Sequence, residues 1–119
     1  MLHEQFSGDI IGAAMQVLNG LRPGLDEKLY ENALVIELPE RGHRIDQQKS
    51  FDVTYKGRLI PDLIVDDIII VDAKVVSGFD DSHVAQMIGY LAITKLDLAL
   101  LLNFKYSKLK WKRVARSLS

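Results

Sequence analysis

The sequence predicts an α/β fold: a mixed β-sheet with helices packed on its faces, in the order α-α-β-β-β-α-β-β. Three observations carry this. Helical apolar periodicity fills the first forty residues, β-rich runs follow from His43 to Val76, and one more helix precedes a continuous apolar run and an alternating one. With 119 residues, 48% hydrophobic and 26% charged, the chain can bury the core of a single domain spanning 1–119. No repeat, linker or low-complexity stretch divides it.

"DIIGAAMQVLNGL" puts Ile10, Ile11, Ala14, Met15 and Leu18 on one helical face, with Asp9 as the expected N-cap. "RPG" at 22–24 breaks the chain. A second helix runs through "DEKLYENALVIEL" and is expected to stop at Pro39. "HRIDQQKSFDVTY" is β-rich, and "KG" at 56–57 is expected to close a hairpin. "RLIPDLIVD" then reads as one strand, turning at Asp66-Asp67 into "IIIVDAKVV". "HVAQMIGYLAIT" is a helix with Ser82 as its expected cap. "LDLALLLNF" is too short and too apolar for a surface helix, so it reads as a central strand buried on both faces. "KLKWKRVA" alternates and closes the sheet at an edge.

Composition excludes several classes. Without cysteine, disulfides and thiolate metal sites cannot form, and a reducing cytoplasm is the expected location. No apolar run approaches the roughly 18 residues of a membrane span. "MLHEQFSGD" carries Glu4 and Asp9 but no Lys or Arg, unlike a signal peptide. The net charge is −1, yet every acid precedes Leu98, while "KYSKLKWKRVAR" at 105–116 has only basic charges. Such a tail can follow a phosphate backbone, and it can equally be a solubilising edge strand. Leu109 and Trp111 are expected to face the core, leaving the lysines in solvent.

The chemistry concentrates in "RLIPDLIVDDIIIVDAKVV", 58–76, where aspartates interrupt an interior-like stretch. Desolvating a carboxylate costs several kcal/mol, roughly, unless something compensates it. Alternation points Asp72 and Lys74 to one face, and a tight turn would set Asp62 beside Asp72. Two carboxylates so close repel unless a cation lies between them, and Mg²⁺ or Mn²⁺ suits such hard oxygen donors. Lys74 could then orient a nucleophile or stabilise charge developing on phosphate. Alone, the same residues also read as a Lys–Asp salt bridge at a strand end. His83, Gln86 and Tyr90 share a helical face at the rim of an apolar stripe, where they could hydrogen-bond a phosphate or ribose. Glu27 and Glu31 lie one turn apart on the side of Tyr30, Leu34 and Leu38. Glu27 could be a third acidic ligand; the alternative is that Asp26 and Glu27 simply favour the positive helix end.

Several of these motifs resemble a known group. Gly24-Leu25-Asp26-Glu27-Lys28-Leu29-Tyr30 is similar to the signature of the GxxExxY proteins, a branch of the PD-(D/E)XK nuclease superfamily. Pro61-Asp62, nine residues, then Asp72-Ala73-Lys74 resembles the superfamily motif, and Gln86 through Tyr90 resembles the QxxxY element of its RecB-like nucleases. "LLLNF" and the basic strand with Lys112-Arg113 fit as well, so the resemblance covers roughly residues 9–116. It implies a restriction-endonuclease-like fold and metal-dependent hydrolysis of phosphodiesters. It also implies Asp62, Asp72 and the Ala73 carbonyl as ligands of Mg²⁺ or Mn²⁺, with Lys74 as the catalytic lysine. Glu27 would be the acidic residue of the N-terminal helices, and a further ligand directly or through water. Gln86 and Tyr90 would steady the nucleic-acid strand or the lysine, with Lys110, Lys112 and Arg113 on the backbone. Asp72 stands where the family more often has Glu, a shorter arm by one methylene.

The expected function is therefore a metal-dependent nuclease, with DNA the expected substrate. The alternative is an accessory or binding module of the same fold with weak or no catalysis. No helix-turn-helix or zinc finger supplies sequence recognition. A chain this small could enlarge its groove as a homodimer.

Overall fold

The computed structural model describes residues 3–48 and 61–116 and, for the backbone alone, 51–52 and 58–59. The elements are α1 (Glu4–Gly20), α2 (Glu27–Glu40), β1 (Ile45–Gln47), β2 (Phe51–Asp52), β3 (Arg58–Leu59), β4 (Leu63–Val65), β5 (Ile69–Lys74), α3 (Asp81–Thr94), β6 (Leu98–Asn103) and β7 (Lys110–Ala115).

A five-stranded sheet in the order β1-β4-β5-β6-β7 is mixed. β4 pairs antiparallel with both β1 and β5, β5 runs parallel to β6, and β6 runs antiparallel to β7. The parallel pair needs a long crossover, and α3 supplies it. α1 and α2 cover one face, where Ile10, Ala14, Tyr30, Leu34 and Leu38 meet Leu63, Val71, Leu100 and Leu102. α3 covers the other, where Met87 and Leu91 meet Ile64, Ile70, Ala99, Leu101 and Val114. β6 is buried along its whole length, as its unbroken apolar run predicts.

The expected order gains two short strands. β2 and β3 form a separate two-stranded piece, and Pro61 separates β3 from β4. "RLIPDLIVD" is therefore two strands rather than one, because proline brings no N–H to a ladder. The "KG" turn at 56–57 lies outside the described residues.

Three helix ends also differ from expectation. α1 begins at Glu4, so Asp9 is no cap. Asp9 instead binds His43 and, at 3.1 Å, Arg41. α2 runs through Pro39 to Glu40, a proline tolerated because it falls in the last turn, where Arg41 N–H already reaches back to Leu38. Asp80 rather than Ser82 caps α3: its carboxylate accepts from Ser82 N and His83 N, and His83 Nδ1 accepts from Asp80 N at 3.0 Å. This reciprocal box accounts for His83 as a structural residue. Trp111 is 43% exposed, contrary to expectation, since β7 is the edge strand and cannot cover the ring on both sides; Leu109 is buried as expected.

Candidate active site

The β4–β5 hairpin decides where the acids go. Its turn holds Asp66 and Asp67, both at φ 55°, a left-handed conformation that aspartate tolerates better than most residues. From that turn the register runs Val65↔Ile69, Ile64↔Ile70, Leu63↔Val71. One step further sets Asp62 opposite Asp72. Both share a side with Ile64 and Ile70, facing α3.

Asp72 is buried, and Lys74 Nζ lies 3.2 Å from its Oδ2. Burial, a hydrogen bond with Asp72 and the charges of Asp72 and Glu31 push the Asp62 carboxyl up to about 8. The folded chain thus presses two carboxyl groups together where one holds a proton at neutral pH. Burial alone would lower the Lys74 ammonium, but Asp72, then Glu27 and Asp62, outweigh it and hold Lys74 above its usual value. It stays cationic and can serve as a charge and a donor, not as a base.

Lys74 is steadied from α3. Its Nζ donates to Gln86 Oε1 at 3.3 Å, and Gln86 Nε2 reaches Tyr90 OH at 3.0 Å. Burial and the charges of Asp72 and Asp62 raise the Tyr90 hydroxyl, so it keeps its proton.

The N-terminus of α2 approaches from the opposite layer. Asp26 caps the helix, accepting from Lys28 N at 2.9 Å. Gly24, at φ 79°, donates its N–H to the Phe104 carbonyl just past β6. Tyr30 stacks on Phe104 with ring centroids 4.4 Å apart and donates its hydroxyl to the Arg22 carbonyl. With the glycine and tyrosine anchoring this corner, Glu27 reaches over the end of β5, where its Oε2 accepts from Val75 N at 2.9 Å.

The predicted residues do not all gather. Asp62, Asp72, Lys74, Gln86 and Tyr90 come together, with Glu27 beside them. Among the described residues no three His, Asp or Glu side chains cluster closely enough to bind one ion directly. Ala73 buries its methyl under α1 and α2, leaving only its backbone to the site. Lys110 pairs with Asn103, which pairs with Lys74, so Lys110 lies in the same row, roughly 10 Å away by strand spacing. Lys110 and Lys112 are exposed. Arg113 points the other way and binds Ser7 of α1.

Sequence reasoning noted Glu31 without assigning it a role. It is buried, yet its Oε2 accepts from Gln47 Nε2 at 2.7 Å, Lys28 Nζ at 2.9 Å and Gln48 Nε2 at 3.0 Å. Burial raises Glu31, but these donors outweigh it and leave the carboxyl below its usual value. Gln48 also reaches Asp62 Oδ1 at 3.5 Å, linking α2 to the aspartate pair. Asn103, buried in an apolar strand, exchanges hydrogen bonds with the backbone of Val76 and so pins the chain beyond Lys74. Its signal was a lone amide within "LALLLNF"; the Gln48 signal was absent, since its partners come from elsewhere in the chain.

The residues fit a hard divalent ion. Paired aspartates that otherwise retain a proton, an adjacent backbone carbonyl and no soft donor make such a set. Comparison with known families decides the wider assignment: the sequence matches the PD-(D/E)XK nuclease superfamily over residues 4–114. The chain belongs to the PD-(D/E)XK nuclease superfamily. Members of this superfamily act on nucleic acid and generally use divalent metals. No curated protein matches the chain. Among solved structures, an alkaline exonuclease (LHK-Exo) from Laribacter hongkongensis is similar at a TM-score of 0.55 and 12% identity, covering 87% of this chain and 76% of that one. The same exonuclease in complex with dAMP gives 0.60 and 14%, covering 93% and 69%. At such identities the likeness establishes the fold alone, a mixed sheet flanked by helices. No helix among the described residues is long and apolar enough to cross a membrane.

Proposed function

We propose that this chain is a Mg²⁺- or Mn²⁺-dependent nuclease of the GxxExxY type, related to the RecB-like branch, acting as one domain on DNA. The observation that supports this most is the convergence of Asp62, Asp72 and Lys74 on the α3 side of the sheet, with a proton where a cation would fit. Asp62, Asp72 and the Ala73 carbonyl would hold the ion. When bound, it would supply Lewis-acid charge to phosphate oxygens and lower the pKa of its water.

The chain's own residues do the rest. Lys74, permanently cationic, places its ammonium where the attacked phosphate gains negative charge, and its other protons can orient the incoming water. Gln86 accepts one ammonium proton and so fixes the direction of the rest. Tyr90 holds the Gln86 amide. Glu27 adds negative potential at Lys74 and ties α2 to the strand end. Lys110 and Lys112 offer charge to the backbone further along. Water adds to phosphorus, the ester oxygen leaves with a proton, and a phosphomonoester and a hydroxyl result.

The test is direct. Purified protein with Mg²⁺ or Mn²⁺ should cleave at least one of single-stranded, duplex or branched DNA, and Asp72→Asn should not. If no DNA or RNA of any form is cut by folded protein, the enzymatic reading fails. If calorimetry also finds no metal binding at millimolar ion, an accessory binding module takes its place.

A further inference from the structure

The solvent face of α3 carries the inference, independently of the nuclease reading. Ala85, Ile88, Gly89, Ala92 and Ile93 recur at i, i+3, i+4, i+7 and i+8, one continuous stripe, and every one is exposed. Ile88 is 48% and Ile93 41% exposed. Solvent faces of helices in a single chain are ordinarily polar; this one has no charge within its stripe. The buried side of the same helix, Met87 and Leu91, already packs on the sheet, so α3 is apolar on two opposite sides.

Gly89 sharpens the point. Glycine weakens a helix interior because it has the most conformational freedom to lose. Here a Cβ would meet nothing within 4 Å, so no neighbour within the described protomer requires its absence. A bare backbone flanked by Ala85 and Ala92 lets another helix approach closely.

The ends of the stripe identify the visitor. Asp80 and Asp81, both exposed, stand at the N-terminal end. Lys95, also exposed, caps the C-terminal end and carries its charge, since Arg116, beside it across a shared surface hollow, is paired with Asp97 at 3.3 Å. A helix that is acidic at one end, basic at the other and apolar between complements itself when turned around. We propose that two copies of this chain pair through α3, antiparallel about a two-fold axis near Ile88–Gly89. Asp81 of each protomer then lies beside the partner's Lys95, the two helix dipoles oppose, and the isoleucines fill the space above the small residues. Gln86, on the flank of the stripe, and Tyr90 keep their hydrogen bonds on the side of Lys74.

Sedimentation equilibrium of the full chain over a concentration series up to submillimolar tests this. The wild type should reach twice the protomer mass. Ile88→Glu should raise the dissociation constant at least about tenfold, the loss of one buried anchor. Gly89→Leu should do the same while its far-UV circular dichroism stays helical. Asp81→Lys and Lys95→Glu should each weaken pairing, and the double swap should restore it. Restoration singles out the antiparallel contact, because a fold defect in either variant would not be repaired by the other. A wild type that stays a monomer throughout, or a dimer indifferent to Ile88→Glu and Gly89→Leu, overturns the proposal.

Discussion

The two ends of the β4–β5 hairpin carry the same kind of residue in opposite circumstances. At the turn, every acid faces a cation: Asp66 accepts from His43 at 2.5 Å, Asp9 binds His43 and Arg41, and Asp67 meets Arg44. At the open end Asp62, Asp72, Glu27 and Glu31 share Lys74 and Lys28, and Asp62 is left with a proton. One end is electrostatically closed and holds α1, the chain after α2 and the turn together. The other is short of positive charge, a deficit that a substrate-side cation can fill. On the proposed function, stability and chemistry fall at opposite ends of one hairpin. A cavity of about 520 Å³, lined by Phe6, Asp9, Arg41 and His43 among others, belongs to the closed end, where the charges are already matched.

The sharpest way to break this contrast is to exchange the damage. Lys74→Ala should reduce cleavage by about 10²–10³-fold, the usual cost of losing one group that stabilises transition-state charge. Asp9→Asn should leave the rate per folded molecule unchanged. Initial rates measured where both variants are folded decide this, and equal losses would erase the division. Next in size is the response to metal. At a concentration one hundred times the dissociation constant, Mn²⁺ should stabilise the wild type by about 2.7 kcal/mol. Thermal melts should show that gain preserved in His43→Gln and absent in Asp72→Asn.

Of this contrast, the open end was legible and the closed end was not. Alternation alone put Asp72 and Lys74 on one side of β5, and the Asp-Asp turn fixed the partner of Asp72, because both are short-range rules. The buried run of β6 declared itself for the same reason. Asp9 looked like a helix cap because aspartate before an apolar stripe usually is one; its actual partners, Arg41 and His43, lie 32 and 34 residues away. Glu31 is tolerated in the core because Gln47 and Gln48 arrive from β1 and the chain after it to join Lys28, its neighbour on the helix. Pairings of that span leave no local trace in a single sequence.

Smaller effects refine the picture of the closed end. Asp9→Asn should cost about 1 kcal/mol in urea denaturation, the worth of a partly exposed ionic hydrogen bond. The pH response should be gentler still. Burial lowers the His43 imidazolium, but Asp66 and Asp9 outweigh it and hold its pKa above the ordinary 6.5. A raised histidine stabilises fully below its unfolded pKa, and that contribution fades as pH climbs through the folded value. Asp9, lowered first by its His43 hydrogen bond, and Asp66, lowered by His43 and the Arg44 amide against its own burial, contribute above 3.8 and fade as pH falls. The cluster should therefore be firmest between about pH 4 and 6.5, weakening as pH climbs from there through the raised His43 value. Thermal midpoints of the wild type should decline from pH 6 to 8.5 more than those of His43→Gln; parallel curves would remove His43 from the account.

Between the Asp66–Asp67 turn and the acidic pair lie only the rungs Val65↔Ile69, Ile64↔Ile70 and Leu63↔Val71. The hairpin is in effect a ruler. Adding one residue to the β4 arm would slide Asp62 past Asp72 and rotate it to the α1 side, without touching either aspartate. Insertions in loops outside the hairpin leave that distance alone, whereas one within either arm breaks the register.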